Sequence, residues 1–305
     1  MRVALLFIDG VGVGTRDPEF NPLARGDWLL SQFEDGSGTA LPGGGLSLLE
    51  TTFGVPGRPQ SATNQTALLT GEPAPRLVGR HVLGFPDLAL REILLRASVV
   101  KRLVGAGRRA TFVNGYPGGY LTALGLPHAP ARVPEVVIPA KARRRLRPSS
   151  TTLAFAAGEV PLRTLDQVRA GEAISHDVTG ERGRGRGFDI PLRTPEEAAE
   201  VFWRAGEGMD FTLFEHFLAD EAGHARDMAL AESTLSTFDT FARAVVRRRP
   251  ADARVLVCSD HGNVEDLRMR NHTRSPVALL SFPPLDLPAP ADVAGVAGLI
   301  VGADG

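Results

Sequence analysis

Apolar residues along this chain gather in short unbroken runs, each closed by an acid or a turn residue. Residues 3–8 stop at Asp9-Gly10, and residues 110–113 stop at Asn114-Gly115. Residues 211–218 lead into Ala219-Asp220, residues 254–258 into Ser259-Asp260, and a fifth run covers 276–282. Runs of this length without polar alternation predict strands buried on both faces, as in a parallel sheet. Helical patterns lie between them. Residues 195–206 (PEEAAEVFWRAG) open with proline and acids and close with glycine, the order a helix prefers at its two ends. Residues 230–249 form a longer amphipathic stretch whose basic residues collect at its C-terminal end, where they complement the helix dipole. Strands alternating with helices predict an α/β fold with a doubly wound, mostly parallel sheet.

Between residues 91 and 191 the pattern breaks down. Arg, Pro and Gly are frequent and few alternations are clear, although VVIP at 136–139 and TTLAF at 151–155 would suit strands. The expectation is a small inserted cap domain over 91–191, carried by a core made of 1–90 and 192–305. Within it, ERGRGRGF at 181–188 reads first as a mobile, solvated loop. The sharper alternative is an arginine-rich flap over an anionic substrate. RNA binding through Arg182, Arg184 and Arg186 is a third reading, weakened by the absence of stacking aromatics.

Composition narrows the class. The chain has 305 residues, 43% of them hydrophobic, enough for one large α/β domain or for one with an insertion. Lys plus Arg number 34 against 35 Asp plus Glu, a formal charge of -1. Such balance gives no electrostatic reason to expect nucleic acid as a partner. Cys258 is the only cysteine, so no internal disulfide forms, and its apolar setting predicts a buried thiol. The opening apolar run is too short for a signal peptide, and no run approaches the roughly 18 residues of a spanning helix. A soluble, cytoplasmic protein with no membrane partner is expected, its assembly state left open.

The chemistry sits where the runs end. Asp260-His261-Gly262-Asn263 follows one predicted strand and Asp220-Glu221-Ala222-Gly223-His224 follows another. Asp and His four positions apart share a helical face. Asn271-His272-Thr273 precedes a third strand, and Asp9 ends the first. Any one of these is unremarkable: an aspartate often caps a helix, and a lone histidine is usually nothing. Together they supply three carboxylates and three imidazoles at strand ends, where open α/β sheets bind ligands. That is enough to hold two divalent cations, which can clamp both oxygens of a phosphoryl displacement. GVGVG after Asp9 lacks the spacing of a dinucleotide loop. SATNQTALLTG, residues 61–71, reads as a loop entering a helix that ends at glycine. Ser61 then lies near free N–H groups that favour a nucleophilic oxygen and a bound phosphate. It could equally be only the helix cap, and Thr63 is a rival nucleophile. Arg80, His81 and His176 are candidate contacts to a small phosphorylated substrate. His128 and His216 have no evident partner, and His216 reads as a core histidine.

The set resembles the alkaline phosphatase superfamily, in the branch of cofactor-independent phosphoglycerate mutase and phosphopentomutase. Asp260-His261-Gly262-Asn263-x-Glu265 is similar to its DHGNxE motif, His272-Thr273-x-x-Pro276-Val277 to HTxxPV, Asp220-x-x-Gly223-His224 to DxxGH, and Asp9-Gly10 to the metal aspartate after the first strand. The resemblance implies one cation on Asp220, His224 and His272. It implies another on Asp9, Asp260, His261 and the oxygen of Ser61, the cations being manganese, zinc or magnesium. It also implies phosphoryl transfer through a phosphoserine at Ser61. The chain lacks a counterpart of the mutase's arginine-bearing RADR segment and of its histidine-rich substrate motif. The metal core therefore carries over and the substrate does not. No cysteine stands in a CxPxR pattern, which argues against a sulfatase. Hydrolysis is favoured slightly over a phosphosugar or phosphoglycerate mutase reaction because the expected cap is small, and a catalytically silent metal-binding protein is the contrasting reading.

Overall fold

The structure, a computed structural model, describes residues 1–129, 138–286 and 288–302. Its strands are β1 (Arg2–Ile8), β2 (Gly45–Leu49), β3 (Ala110–Phe112), β4 (Gly115–Tyr116), β5 (Arg163–Thr164), β6 (Phe211–His216), β7 (Ala253–Cys258) and β8 (Val277–Phe282). Six of them form one sheet in the order β2-β8-β7-β1-β6-β3. β1 pairs in parallel with β6 and β7, and β3 with β6, whereas β8 runs antiparallel to both β7 and β2. The mostly parallel doubly wound sheet is therefore present, with β8 as its reversed member.

The unbroken apolar runs follow from burial on both faces. Val3, Leu5 and Phe7 of β1 enter one core, and Ala4, Leu6 and Ile8 enter the other, because successive side chains of a strand point to opposite faces. The first core is covered by α1 (Ser61–Thr70), α2 (Leu88–Ala97), α3 (Val99–Gly105) and α4 (Ser150–Ala157). The second is covered by α6 (Pro195–Ala205), α7 (Leu218–Ala225) and α8 (Met228–Arg247). A further short helix, α5 (Glu181–Gly185), lies over the carboxyl ends of the strands beside the site. The result is helix on sheet on helix. Among the described residues no helix is long and apolar enough to cross a membrane.

Several expectations shift. The run 211–218 splits: β6 stops at His216 and α7 begins at Leu218. The apolar pattern continues because Ala219 and Ala222 of α7 are buried in the second core. TTLAF, expected as a strand, lies in α4. The Ser149 side chain accepts from the Thr152 N–H at the start of that helix, and its residues 150–155 are all buried, which erases the period that marks a helix. β2 went unanticipated, since its Leu46 and Leu48 are exposed on a sheet edge. Residues 136 and 137 of the other expected strand lie outside the described residues. From the span 91–191, β3 joins the main sheet and α4 packs on α1 and α2, while β4 and β5 pair as a small separate sheet beside the site.

Candidate metal centre

Four strand ends deliver the predicted ligands to one place. Asp9 follows β1, Asp220 and His224 ride on α7 after β6, Asp260 and His261 follow β7, and His272 lies in the loop before β8. The ligand atoms form two groups, Asp220 with His224 and His272, and Asp9 with Asp260 and His261, each spanning no more than 4.8 Å. Asp220 Oδ2 stands 3.3 Å from His224 Nε2, and its Oδ1 stands 3.4 Å from His272 Nε2. His261 Nε2 lies 3.3 Å from Asp9 Oδ1 and 3.5 Å from Asp260 Oδ2. The His261 and His272 rings stack at 3.7 Å, joining the two groups.

Backbone carbonyls orient all three histidines. Nδ1 of His224 donates to Arg270 O at 2.8 Å, that of His272 to Pro59 O at 2.8 Å, and that of His261 to Gly262 O at 3.3 Å. Each Nε2 is then aimed inward, where a metal that displaces any proton on it would take its lone pair. His272 Nε2 and His224 Nε2 face each other at 3.2 Å. Two lone pairs so close repel unless a proton or a cation lies between them.

The carboxylates tell the same story. Burial first, then the charges of Asp260 and Asp220, push the Asp9 carboxyl well above its ordinary range. Burial, together with Asp220, raises Asp260 as well. Asp9 Oδ1 and Asp260 Oδ2 are sealed from water without a hydrogen-bond donor. Buried acids of one sign, unpartnered, are costly unless positive charge joins them. For Asp220, burial acts upward, but hydrogen bonding to His224 and the nearby His261 and His272 outweigh it and hold the carboxyl low. His224 is correspondingly raised to about 9, mainly by its bond to Asp220. Burial and His261 lower His272 to about 4. Carboxylate and imidazole donors, inward-aimed Nε2 atoms and orphaned carboxylate oxygens fit divalent cations.

Ser61 is the first residue of α1, following Gln60 at the cap, so it is not itself the cap. Its Oγ lies 2.9 Å from His261 Nε2. Thr63 instead donates to Gln60 O at 3.0 Å and is fully buried, which turns its hydroxyl away from the two groups. One turn after Ser61, Gln65 donates to Asp9 Oδ2 at 3.2 Å, and Asn64 donates to Asp260 O at 2.9 Å. α1 is thus bolted to β1 and β7 by its own side chains.

Other partners escaped the reading of the sequence. Asn263 Nδ2 donates to Asp220 Oδ1 at 2.6 Å. Glu265 accepts from Gly12 N at 3.0 Å, from Asn263 N at 2.7 Å and from the Thr273 hydroxyl, tying three loops together beneath the site. Close packing leaves room only for glycine at Gly262. A Cβ there would lie 2.2 Å from Glu265 Oε1 and from Thr273 Oγ1. Gly10, at φ +75°, needs that room as well as the conformational freedom, since a Cβ would meet Asp220 Oδ1 at 2.7 Å.

A cavity of about 540 Å³ opens beside these residues, lined by Asp9, Ser61, Glu215, Asp220 and His176 among others. Burial raises the Glu215 carboxyl to about 7, with Thr151 donating to it at 3.1 Å. Of the three candidate substrate contacts only His176 lines this cavity. Arg80 points outward and pairs with Asp87 at 2.6 Å, and His81 packs beside Gly57. His216 is the core histidine anticipated, its Nδ1 donating to His176 O at 2.9 Å. His128 bonds Thr122 and Leu126 in a separate loop. Residues 181–188, expected first as a solvated loop, include α5. Asp177 accepts from the N–H groups of Gly180 and Arg182, and this places Arg182 and Arg186 on the cavity wall.

Comparison with known proteins agrees with this geometry. Residues 195–287 match the family described as Metalloenzyme superfamily. A phosphopentomutase of Deinococcus radiodurans is 29% identical over 103 residues, which is 32% of this chain and 26% of that protein; the chain matches only about a quarter of the relative's length. The alkaline phosphatase of the Antarctic bacterium TAB5 shares the fold at a TM-score of 0.54 and 13% identity, covering 100% of this chain and 99% of that one. The PH0037 protein of Pyrococcus horikoshii does so at 0.51 and 12%, covering 92% and 84%. Over residues 195–287 the chain is thus similar to the Metalloenzyme superfamily, over about a third of its length it is similar to a phosphopentomutase, and its fold is that of an alkaline phosphatase.

Proposed function

We propose that the protein is a phosphoryl-transfer enzyme dependent on two divalent cations, manganese, zinc or magnesium, acting on a small phosphorylated molecule through Ser61. The observation that carries this reading is the position of Ser61 Oγ, 2.9 Å from His261 Nε2 and at the head of a helix whose first N–H groups lack helical acceptors. Asp220, His224 and His272 would hold one cation; Asp9, Asp260, His261 and Ser61 would hold the other. Bound there, the cations would lower the hydroxyl pKa and neutralise charge on the transferring group. The chain's own part is positional. Gln65 and Asn64 lock α1 so that the Ser61 hydroxyl faces the carboxylates, and the α1 N-terminus favours a phosphoryl group. Ser61 Oγ loses its proton as it takes the phosphoryl group from the substrate oxygen, the leaving oxygen gains a proton, and the phosphoserine then passes its phosphoryl to the oxygen of an acceptor, which gives up a proton while Ser61 Oγ regains one.

Water as the acceptor makes a phosphohydrolase; the substrate itself makes a mutase. The similarity to a phosphopentomutase favours the second, and the small cap expected from the sequence favours the first. Measuring inorganic phosphate release against internal transfer, with manganese or zinc present, separates them. Ser61→Ala should keep its metal and lose turnover, while Thr63→Ala should stay active. The reverse result would overturn the nucleophile assignment. Full metal occupancy with no turnover on any phosphoester would leave a metal-binding protein without catalysis.

A further inference from the structure

The cavity is much larger than a phosphoryl group requires. At about 540 Å³ it lies in the range of sites that enclose whole ligands of several rings, and a three-carbon phosphate would leave most of it empty. Away from the acids its wall is built of rings: Phe85, Tyr116, Tyr120, Phe188 and Phe217, with His176 among them. Tyr116 and Tyr120 stack with centroids 5.9 Å apart and planes at 13°. His176 meets Tyr116 edge-on at 4.7 Å and Phe217 at 5.1 Å. Such a wall offers flat faces to a flat ligand.

His176 adds a donor whose direction is fixed. Asn114 Oδ1 accepts from the Glu215 N–H at 2.9 Å, and Asn114 Nδ2 donates to the Glu215 carbonyl at 2.7 Å. This pair leaves the amide one orientation. The same Nδ2 lies 3.0 Å from His176 Nδ1, so Nδ1 accepts and the ring proton sits on Nε2. Burial keeps the imidazole neutral by lowering it to about 4. Nε2 of His216 is sealed inside the protein, but His176 belongs to the cavity wall and its Nε2 has no protein acceptor among the described residues. Arg186, on the same wall, has no acidic partner among the described residues, whereas Arg182 is held by Glu221 at 2.6 Å.

Resting on the phosphoryl-transfer reading, we propose that this cavity selects nucleoside phosphates. The planar base lies on the ring wall, its acceptor atoms meet His176 Nε2–H and the Arg186 guanidinium, and the phosphate reaches Ser61. Ring faces without fixed donors would suit any aryl group; fixed N–H donors beside them call for a heteroaromatic ring with acceptors.

The test compares kcat/KM of the manganese-loaded full chain on a nucleoside 5′-monophosphate, phenyl phosphate and glycerol phosphate. The expected order is nucleotide, then phenyl, then glycerol phosphate, with roughly a tenfold step for the ring. Tyr120→Ala should lower the first two far more than the third. His176→Phe, which keeps the ring and removes the N–H, should lower the nucleotide about tenfold, to the level of phenyl phosphate. Arg186→Ala, at the exposed residue that follows α5, should act in the same direction and serves if His176→Phe fails to fold. Arg184→Ala, which does not line the cavity, should change nothing. Glycerol phosphate turned over as efficiently as the nucleotide, or variants that lower all three substrates equally, would overturn the proposal and leave phosphoryl transfer standing. If no substrate turns over, calorimetry of the nucleotide against manganese-loaded Ser61→Ala decides. Binding that weakens about tenfold on adding His176→Phe upholds the selectivity while the enzymatic reading falls, and absence of binding overturns the selectivity itself.

Discussion

Acid should destabilise this protein through His216, and the amount can be worked out. The side chain is 1% exposed, with its ring tilted against Phe238 at 5.4 Å. Burial lowers its pKa to about 4, opposed by the hydrogen bond to the His176 carbonyl and by Asp177, and reinforced by Arg182. An unfolded histidine titrates near 6.5. The folded value is depressed, so between these two pH values the unfolded chain binds more protons and stability rises with pH. The contribution is complete above about pH 6.5 and is lost as pH falls toward 4. From neutrality to pH 5 the unfolded state gains about 1.5 pH units of proton binding that the folded state does not share. At about 1.4 kcal/mol per unit, His216 alone removes about 2 kcal/mol, a sizeable share of a typical 5–15 kcal/mol stability.

His216→Phe isolates the effect. The new ring occupies the place of the old one among Phe214 and Phe238, and the bond to the His176 carbonyl is lost at a cost of about 1 kcal/mol that does not vary with pH. Urea unfolding of both proteins, with chelator, at pH 7, 6 and 5 gives two stability curves. Titrating groups that His216 does not influence cancel in the difference, and His176, which a charge on His216 would lower further, stays neutral in both proteins down to pH 5 because burial is the main cause of its shift. The variant should start about 1 kcal/mol less stable at pH 7 and become the more stable protein by about 1 kcal/mol at pH 5. Curves that stay parallel would refute the claim that His216 is buried neutral.

Three further outcomes follow from the site and the core. Manganese or zinc at about a hundred times the dissociation constant of a site should stabilise the protein by about 2.7 kcal/mol per occupied site in thermal unfolding, and Asp260→Ala should abolish the gain from the site that Asp260 shares with Asp9 and His261. Asn263→Ala, which frees Asp220 Oδ1 from its 2.6 Å bond, should weaken metal binding roughly 10- to 100-fold in a chelator competition while the far-ultraviolet spectrum stays native. Phe202→Ala empties a fully buried position between α6 and α8 and should cost about 3–5 kcal/mol in urea unfolding, without moving metal affinity per folded molecule.

The division between what the sequence disclosed and what it hid follows from how much freedom each role leaves. A cation accepts few side chains, so Asp220, His224, Asp260, His261 and His272 stand out wherever they follow an apolar run, and the parallel strands put those run-ends on one edge of the sheet. Gln65 was recoverable by the same logic, since it lies one turn beyond Ser61 and shares its face. Glu265 and Asn263 were present in a recognisable motif, yet their work is to join the loops after β1 and β7 to those before β8 and on α7, and nothing local states which loops meet. β2 and α4 were lost for opposite reasons: one is too exposed for its leucines to look like strand, the other too evenly buried to show a helical period. The cavity wall was the hardest to foresee. Tyr116, His176 and Phe217 come from three distant stretches, and any flat side chain can pack a core or receive a ligand. What distinguishes His176 is its hydrogen bond to Asn114, a contact between residues 62 positions apart that takes its meaning from the Glu215 backbone beside it. Specificity in this protein is therefore written in tertiary contacts among common residue types, and the metal centre in the types themselves.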